Sequence, residues 1–86
     1  MPRFYFDVRE GEKFTSDDEG LVFDSLDAAE REAAEAAADI GRDRLPRSEA
    51  RAVTVEVRNE HRQRVLTVTV SMEIHRVNPA PKPPRE

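Results

Sequence analysis

Several stretches of the chain alternate apolar and polar residues with the two-residue period of half-buried β-strands. The clearest of them cover residues 3–9, 53–58 and 64–77. A short return strand over Lys13 to Thr15 is predicted after a turn at Gly11, and it directs Phe14 to the core. The last stretch has the strongest pattern, and its apolar face consists of Leu66, Val68, Val70, Met72 and Ile74.

A helix is predicted between the second and third strands, from Ser25 to about Arg44. Asp24 or Ser25 can cap its first amides, and Pro46 ends it. Its apolar stripe recurs at spacings of three and four and consists of Leu26, Ala29, Ala33, Ala36, Ala37 and Ile40. Because most of the stripe is alanine, the helix can lie close to a sheet, which must supply most of the apolar core.

The predicted elements follow one another in the order β-β-α-β-β. Each strand has one apolar and one polar face, so a single helix is enough to cover the sheet. We predict a two-layer α+β fold with a four-stranded, mainly antiparallel sheet and one helix on its apolar face; the strand order stays open. Residues 1–77 form this single domain, and residues 78–86, with four of the six prolines, are predicted to be a disordered tail.

The last predicted strand, about residues 64–77, is longer than its hairpin partner at 53–58. Its far end, Ser71 to Val77, needs either the first strand or a second subunit beside it, because an unpaired apolar edge favours aggregation. A domain of this size also buries only about 60% of the surface that its unfolded chain exposes. We therefore expect a homodimer.

The composition excludes several classes of function. The chain has 86 residues, of which 37% are apolar and 37% charged, and this allows one small domain with a lean core. The absence of cysteine excludes disulfides, thiolate–zinc sites and cysteine nucleophiles. Neither the glycine-rich phosphate-binding motifs nor a nucleophile elbow occurs. We expect no enzymatic activity, no catalytic residues and no cofactor.

Two groups of residues were considered as metal ligands. The carboxylates of Asp17 to Glu19 lack the glutamate that a calcium loop needs at its twelfth position, where this chain has Ala28. We interpret them as solvated charges near the helix N-terminus. His61 and His75 lie at opposite ends of one predicted strand, so they cannot share a metal within a subunit. We expect no metal site.

Charge is distributed unevenly along the chain. Residues 1–41 carry four basic and twelve acidic side chains, whereas residues 42–86 carry ten basic and six acidic ones. We interpret this as an acidic helix followed by a basic hairpin. The tip of the second hairpin and the polar face of the last strand form a candidate partner surface, which consists of Arg58, His61, Arg62, Arg64, Thr67 and Thr69.

The preferred hypothesis is a small, non-catalytic interaction module that acts as a homodimer and binds a protein partner. The alternative is a nucleic-acid-associated or antitoxin-like regulator that binds through the basic hairpin tip. No aromatic residue follows Phe23, so this half of the chain has no ring on which to stack bases.

The chain also shows no feature of a membrane protein. Its longest run of large apolar residues, Leu21 to Phe23, is too short to span a bilayer. It does not open with the basic and apolar regions of a signal peptide. We expect a cytoplasmic protein without a membrane partner.

Four short motifs carry a family resemblance: Pro2 to Val8, Asp17 to Gly20, Leu26 to Ala29 and Val55 to Arg58. Over residues 2–76 the chain resembles short alphaproteobacterial proteins that contain a domain of unknown function, with an aromatic start, an acidic turn and a helix in this order. More distantly it is similar to HicB-type antitoxins, from which it differs by the long β-hairpin after the helix. The resemblance implies a small cytosolic domain with no assigned activity and no catalytic residues to transfer.

Overall fold

The computed structural model describes residues 1–79 and consists of one sheet and one long helix. The first hairpin and a short third strand precede the helix, and a second hairpin follows it. In chain order the elements are β1 (Arg3–Glu10), β2 (Lys13–Thr15), β3 (Leu21–Val22), α1 (Leu26–Arg44), a one-turn 3-10 helix (Leu45–Arg47), β4 (Ala52–Arg58) and β5 (Arg64–Ser71). This arrangement is the predicted α+β fold.

The strands form an antiparallel sheet in the order β2-β1-β4-β5, and β3 pairs with the first residues of β1. The register places Val55 of β4 between Val8 of β1 and Val68 of β5. Because side chains alternate along a strand, this register collects the apolar residues of the three long strands on one face. The central strand β4 is the most buried, with Val53, Val55 and Val57 inaccessible to solvent.

Helix α1 covers the apolar face of the sheet. It begins at the cap Ser25, whose Oγ accepts a hydrogen bond of 3.1 Å from the amide of Ala28, so Ser25 is the cap among the two candidates of the sequence, Asp24 and Ser25. The buried residues of the helix are small and recur every four positions: Ala29, Ala33, Ala37 and Gly41. A Cβ atom at Gly41 would lie 2.9 Å from Cγ1 of Val70, so the helix backbone approaches β5 closely at this point.

Two details of the first hairpin differ from the prediction. Phe14 is exposed on the face of the sheet opposite the helix, where the guanidinium carbon of Arg9 lies 4.7 Å from its ring centre. The reason is the tight turn, which pairs Arg9 with Phe14 and therefore puts both on the same face. After this hairpin, Leu21 and Val22 form an additional short strand, so the sheet has five strands and not the predicted four.

The last strand is shorter than predicted. It ends at Ser71, opposite the first residue of β4, Ala52, and one further bond runs from the amide of Met72 to the carbonyl of Arg51. Beyond that point β4 offers no residues with which to pair. Asn78 and Pro79 have no regular secondary structure, and the rest of the predicted disordered tail lies outside the described residues.

Candidate functional site

The face of the sheet opposite α1 carries the polar side chains of the long strands, and we call it the outer face. It contains most of the residues that the sequence singled out as a partner surface. Its members are Tyr5, Asp7 and Arg9 on β1, Thr54, Glu56 and Arg58 on β4, and Arg64, Thr67 and Thr69 on β5. Two of its carboxylates, Asp7 and Glu56, are nearly inaccessible to solvent although they face away from the core.

Asp7 is buried by a network that joins three segments of the chain. Arg58 donates to both of its carboxylate oxygens, through Nε at 2.7 Å and Nη2 at 3.1 Å. The amide of Asp17 donates to the same carboxylate at 2.9 Å. Arg58 also reaches the carbonyl of Asp17 at 2.9 Å and stacks over the ring of Tyr5, 4.8 Å from its centre. The network therefore ties β1 and β4 to the loop between β2 and β3, residues 16–20, which we call the acidic loop.

Asp17 organises that loop from within. One of its oxygens accepts from the amide of Phe6 at 3.0 Å, and the other accepts from the amides of Glu19 and Gly20, both at 3.1 Å. Gly20 has a φ of +70°, which glycine adopts without strain. A Cβ atom there would lie 2.6 Å from the carbonyl oxygen of Phe4. The loop thus follows the edge of β1 closely.

The two aspartates have lowered pKa values for related reasons. Burial raises the pKa of Asp7, but the hydrogen bonds from Arg58 and from the Asp17 amide, together with the charge of Arg58, outweigh burial and lower it. Burial likewise raises the pKa of Asp17, and the amides of Phe6, Gly20 and Glu19 reverse that shift. The hydrogen bond with Asp7 raises the pKa of Arg58. All three groups are charged at neutral pH.

Glu56 holds two further cations in the middle of the outer face. Its carboxylate is bonded by Nε of Arg9 and by Nη2 of Arg64, each at 3.0 Å. The guanidinium groups come from the two strands that flank β4, so the three side chains form a bridge across the sheet. Beside this bridge, the hydroxyls of Thr54 and Thr69 are hydrogen-bonded at 2.8 Å.

The β4–β5 hairpin tip is organised by Asn59. Its side-chain oxygen accepts hydrogen bonds from the backbone amides of His61 and Gln63 at 2.8 and 3.0 Å. The backbone amide of Asn59 donates to the backbone carbonyl of Gln63 at 2.9 Å. Arg62 occupies the left-handed region with a φ of 62°. The tip therefore presents the exposed side chains of His61 and Arg62 from a defined backbone.

The structure divides the six predicted partner residues into two sets. Arg58 is engaged within the fold, through Asp7 and the acidic loop. His61 and Arg62 lie at the tip, and Arg64, Thr67 and Thr69 continue from it along the outer face. A polar groove of about 330 Å³ lies between the tip and the acidic loop, and it is lined by Tyr5, Asp17, Asp18, Arg58, Asn59, Glu60 and Arg62.

Sequence reasoning missed the structural role of the acidic turn. The interpretation of Asp17 as a solvated charge is wrong, because its carboxylate accepts three backbone hydrogen bonds. The signal was present in the spacing of Asp17 and Gly20, since an aspartate commonly bonds the amides that follow it in a turn. Sequence reasoning also did not identify Arg58 as the partner of Asp7.

The histidines lie apart from this network. His75 lies 3.0 Å from Glu73 in the segment after β5, and His61 lies at the hairpin tip. Across residues 1–79, no three residues of the types His, Cys, Asp and Glu are placed so that they could hold a metal ion together. Within the same residues, no helix is long and apolar enough to cross a membrane.

The fold and this surface define a small two-layer α+β domain whose ion-paired sheet face is covered by no other element of residues 1–79. The chain belongs to a family described as a domain of unknown function (DUF6894), whose model matches residues 3–71. The match includes the acidic turn, the helix and both strands of the second hairpin. Neither the curated proteins nor the solved structures yielded a match.

Proposed function

We propose that this chain is a non-catalytic, cytoplasmic interaction module that forms a homodimer and binds a protein partner through the outer face and the hairpin tip. The observation that carries the proposal is the bridge at Glu56, which is 8% exposed and bonded by Arg9 and Arg64. It holds two cations in place on a sheet face that no other element of residues 1–79 covers. Side chains that are already ordered lose less entropy when they bind.

The chemistry of this surface favours a partner with carboxylate groups. His61 and Arg62 are exposed, and neither forms an ion pair within residues 1–79. Arg64 remains more than half exposed although it contacts Glu56. The adjacent hydroxyls of Thr67 and Thr69 can donate and accept hydrogen bonds. An acidic, polar protein segment would complement all of these groups.

The state of the buried carboxylates supports the non-catalytic part of the proposal. A general acid or base works best with a pKa near the operating pH. The pKa values of Asp7 and Asp17 are instead lowered by their hydrogen bonds, against the effect of burial. Both carboxylates already accept bonds from the fold itself, so their arrangement serves structure.

A capture experiment with matched charge variants tests the proposal. The tagged chain and a His61→Glu/Arg62→Glu variant are used to isolate proteins from a native lysate at low salt. The control, Arg31→Glu/Ala34→Glu, makes the same charge change on exposed positions of α1. We expect one stoichiometric protein to bind the wild type and the control. The tip variant should not bind it, because the carboxylates of that protein would then face the two introduced glutamates.

Equal capture by all three proteins would show that the hairpin tip is not the partner surface.

A nucleic-acid partner is the second candidate, favoured by the cations of Arg62 and Arg64. A nucleic acid carries a continuous row of phosphates, which would also meet the carboxylates of Asp17, Asp18 and Glu60 in the adjacent groove, whereas a short acidic segment can contact the tip alone. The absorbance ratio of the captured material distinguishes the two, because bound nucleic acid would dissociate steeply as salt is raised.

A further inference from the structure

No strand of the described residues pairs with the outer edge of β5. Within residues 1–79 the sheet ends at β5, and Arg64 is the one charged residue of that strand, which contains no proline. The amide of Met72 points to β4, where it bonds Arg51. Because these directions alternate along an antiparallel strand, the N–H and C=O groups of Thr67, Thr69 and Ser71 point to the free edge. Such an edge is a template for another strand.

The segment that follows β5 has the pattern of a strand but pairs with no other strand of residues 1–79. Met72 and Ile74 continue the apolar positions of β5, and Glu73 and His75 continue its polar ones. Since β4 ends opposite Ser71, this segment extends past the sheet. Ile74 and Val77 are 73% and 84% exposed there.

An apolar groove lies beside the same edge, on the helix side of the sheet. Its volume is about 320 Å³, and its wall is formed by the end of α1 and the end of β5. The helix residues at this point are small, and the backbone at Gly41 lies close to Val70. The apolar lining residues are Ala38, Gly41, Leu45, Pro46, Val70 and Met72.

We propose that the occupant of this edge and groove is a second copy of the chain, with β5 and residues 72–75 of the two copies paired antiparallel about a two-fold axis. The inference rests on the self-association in the proposed function and supplies its geometry. The same chain carries both the free edge and the unpaired strand-like segment, so one symmetric contact provides each with a partner. A two-fold interface uses the same patch on both copies in this way.

The pleat of the strands restricts the register. A shift by one residue would turn the apolar side chains of one copy to the polar face of the other, so apolar positions must lie opposite apolar positions. With Met72 opposite Met72 of the second copy, Ile74 lies opposite Val70 and beside the groove. Ser71 then lies opposite Glu73, and their N–H and C=O groups, which point to the free edge, form ladder hydrogen bonds. We assign this register.

Proline substitutions test the ladder without disturbing the isolated chain. In Glu73→Pro the lost N–H points to the free edge, and Glu73 lies beyond the pairing of β5 with β4. The control Asn78→Pro lies outside the paired segment. By sedimentation equilibrium we expect the wild type and the control to have twice the 9.8 kDa of one chain. We expect Glu73→Pro to be a monomer that is folded by circular dichroism and whose thermal unfolding no longer depends on protein concentration, because association stabilises the folded state.

Single cysteines test the register, because the chain has no cysteine of its own. Opposed residues of a non-hydrogen-bonded pair have Cα atoms about 4.5 Å apart, within the range of a disulfide. Met72→Cys should therefore form a covalent dimer on mild oxidation, whereas the control Ile74→Cys, opposite Val70, should not. Equal cross-linking of both variants would overturn this register.

The outcomes separate this inference from the proposed function. A wild-type chain that stays monomeric at every concentration would overturn both this interface and the proposed self-association. A dimer that survives Glu73→Pro would overturn the interface alone. The partner surface at the hairpin tip is tested independently, by capture with the His61→Glu/Arg62→Glu variant.

Discussion

The two sides of the sheet are stabilised in contrasting ways. On the β1 side, the short strands β2 and β3 and the acidic loop close the edge, and Arg58 connects that loop to the central strand. On the β5 side, no strand of residues 1–79 follows, and the chain continues into an extended segment with exposed apolar residues. The fold therefore concentrates its long-range polar contacts on one side and leaves the other available for contact.

The difference matters because the two sides respond differently to change. Opening the β1 side would separate buried charges from their partners, which costs several kcal/mol. At the β5 edge the free amides and carbonyls are hydrated, so the isolated chain loses nothing by leaving them unpaired. Substitutions on the first side should act on stability, and those on the second should act on association.

The largest effect is expected at Asp7. The substitution Asp7→Ala removes the carboxylate that pairs with Arg58. The guanidinium of Arg58 then stays partly buried beside the acidic loop without this partner. We expect the free energy of unfolding to fall by about 3 kcal/mol, since removal of one partner of a buried ion pair leaves the other uncompensated. Urea denaturation followed by circular dichroism measures this loss.

Asp39→Ala is the matched control for that substitution. Asp39 also pairs with an arginine, Arg42, but both side chains are exposed on α1. Exposed pairs contribute little, and the expected loss is below about 0.5 kcal/mol. If the two variants lost the same amount of stability, the β1 side would not depend on its buried ion pair.

Much of this fold could be predicted from the sequence. The alternation in β1, β4 and β5 located the long strands, and the alanine stripe with its Ser25 cap located α1. The alternation of apolar and polar residues did not show which residues pair with the end of each strand. The extension of β5 to Val77 was wrong because the length of a paired strand depends on its neighbour, and β4 begins only at Ala52.

The candidate site was predictable in part. The polar periodicity placed Thr67, Thr69 and Arg58 on one face, and the hairpin brought His61 and Arg62 to its tip. The sequence did not show that Arg58 bonds Asp7, because their contact spans 51 positions and depends on the register of β1 with β4. Charge patterns identify which groups need partners, and tertiary structure decides which partners they have.

The next largest effect compares two glycines that both have positive φ angles. Gly20→Ala places a Cβ atom 2.6 Å from the carbonyl of Phe4, whereas at Gly11 the nearest atom, Cβ of Ala50, lies at 3.4 Å. Both alanines carry the cost of the left-handed conformation, about 1 kcal/mol. Gly20→Ala must also displace the acidic loop from β1, so we expect its free energy of unfolding to fall by about 2 kcal/mol in all. Thermal or urea unfolding of the two variants checks the difference, and equal losses would contradict the close approach of this loop.

The smallest effect is the pH dependence that Asp17 introduces. Because its pKa is lower in the folded than in the unfolded chain, the unfolded chain binds the proton first as pH falls. The stability that Asp17 contributes is therefore present above about pH 4, the ordinary pKa of an aspartate, and is lost as the pH falls through the folded pKa.

Asp17→Asn should lower the free energy of unfolding by about 1.5 kcal/mol at pH 7, because a side-chain amide has one acceptor oxygen where the carboxylate has two. The gap to the wild type should shrink in acid, as measured by urea denaturation at several pH values. A gap that stayed constant with pH would mean that the ionised carboxylate does not hold the acidic loop to β1.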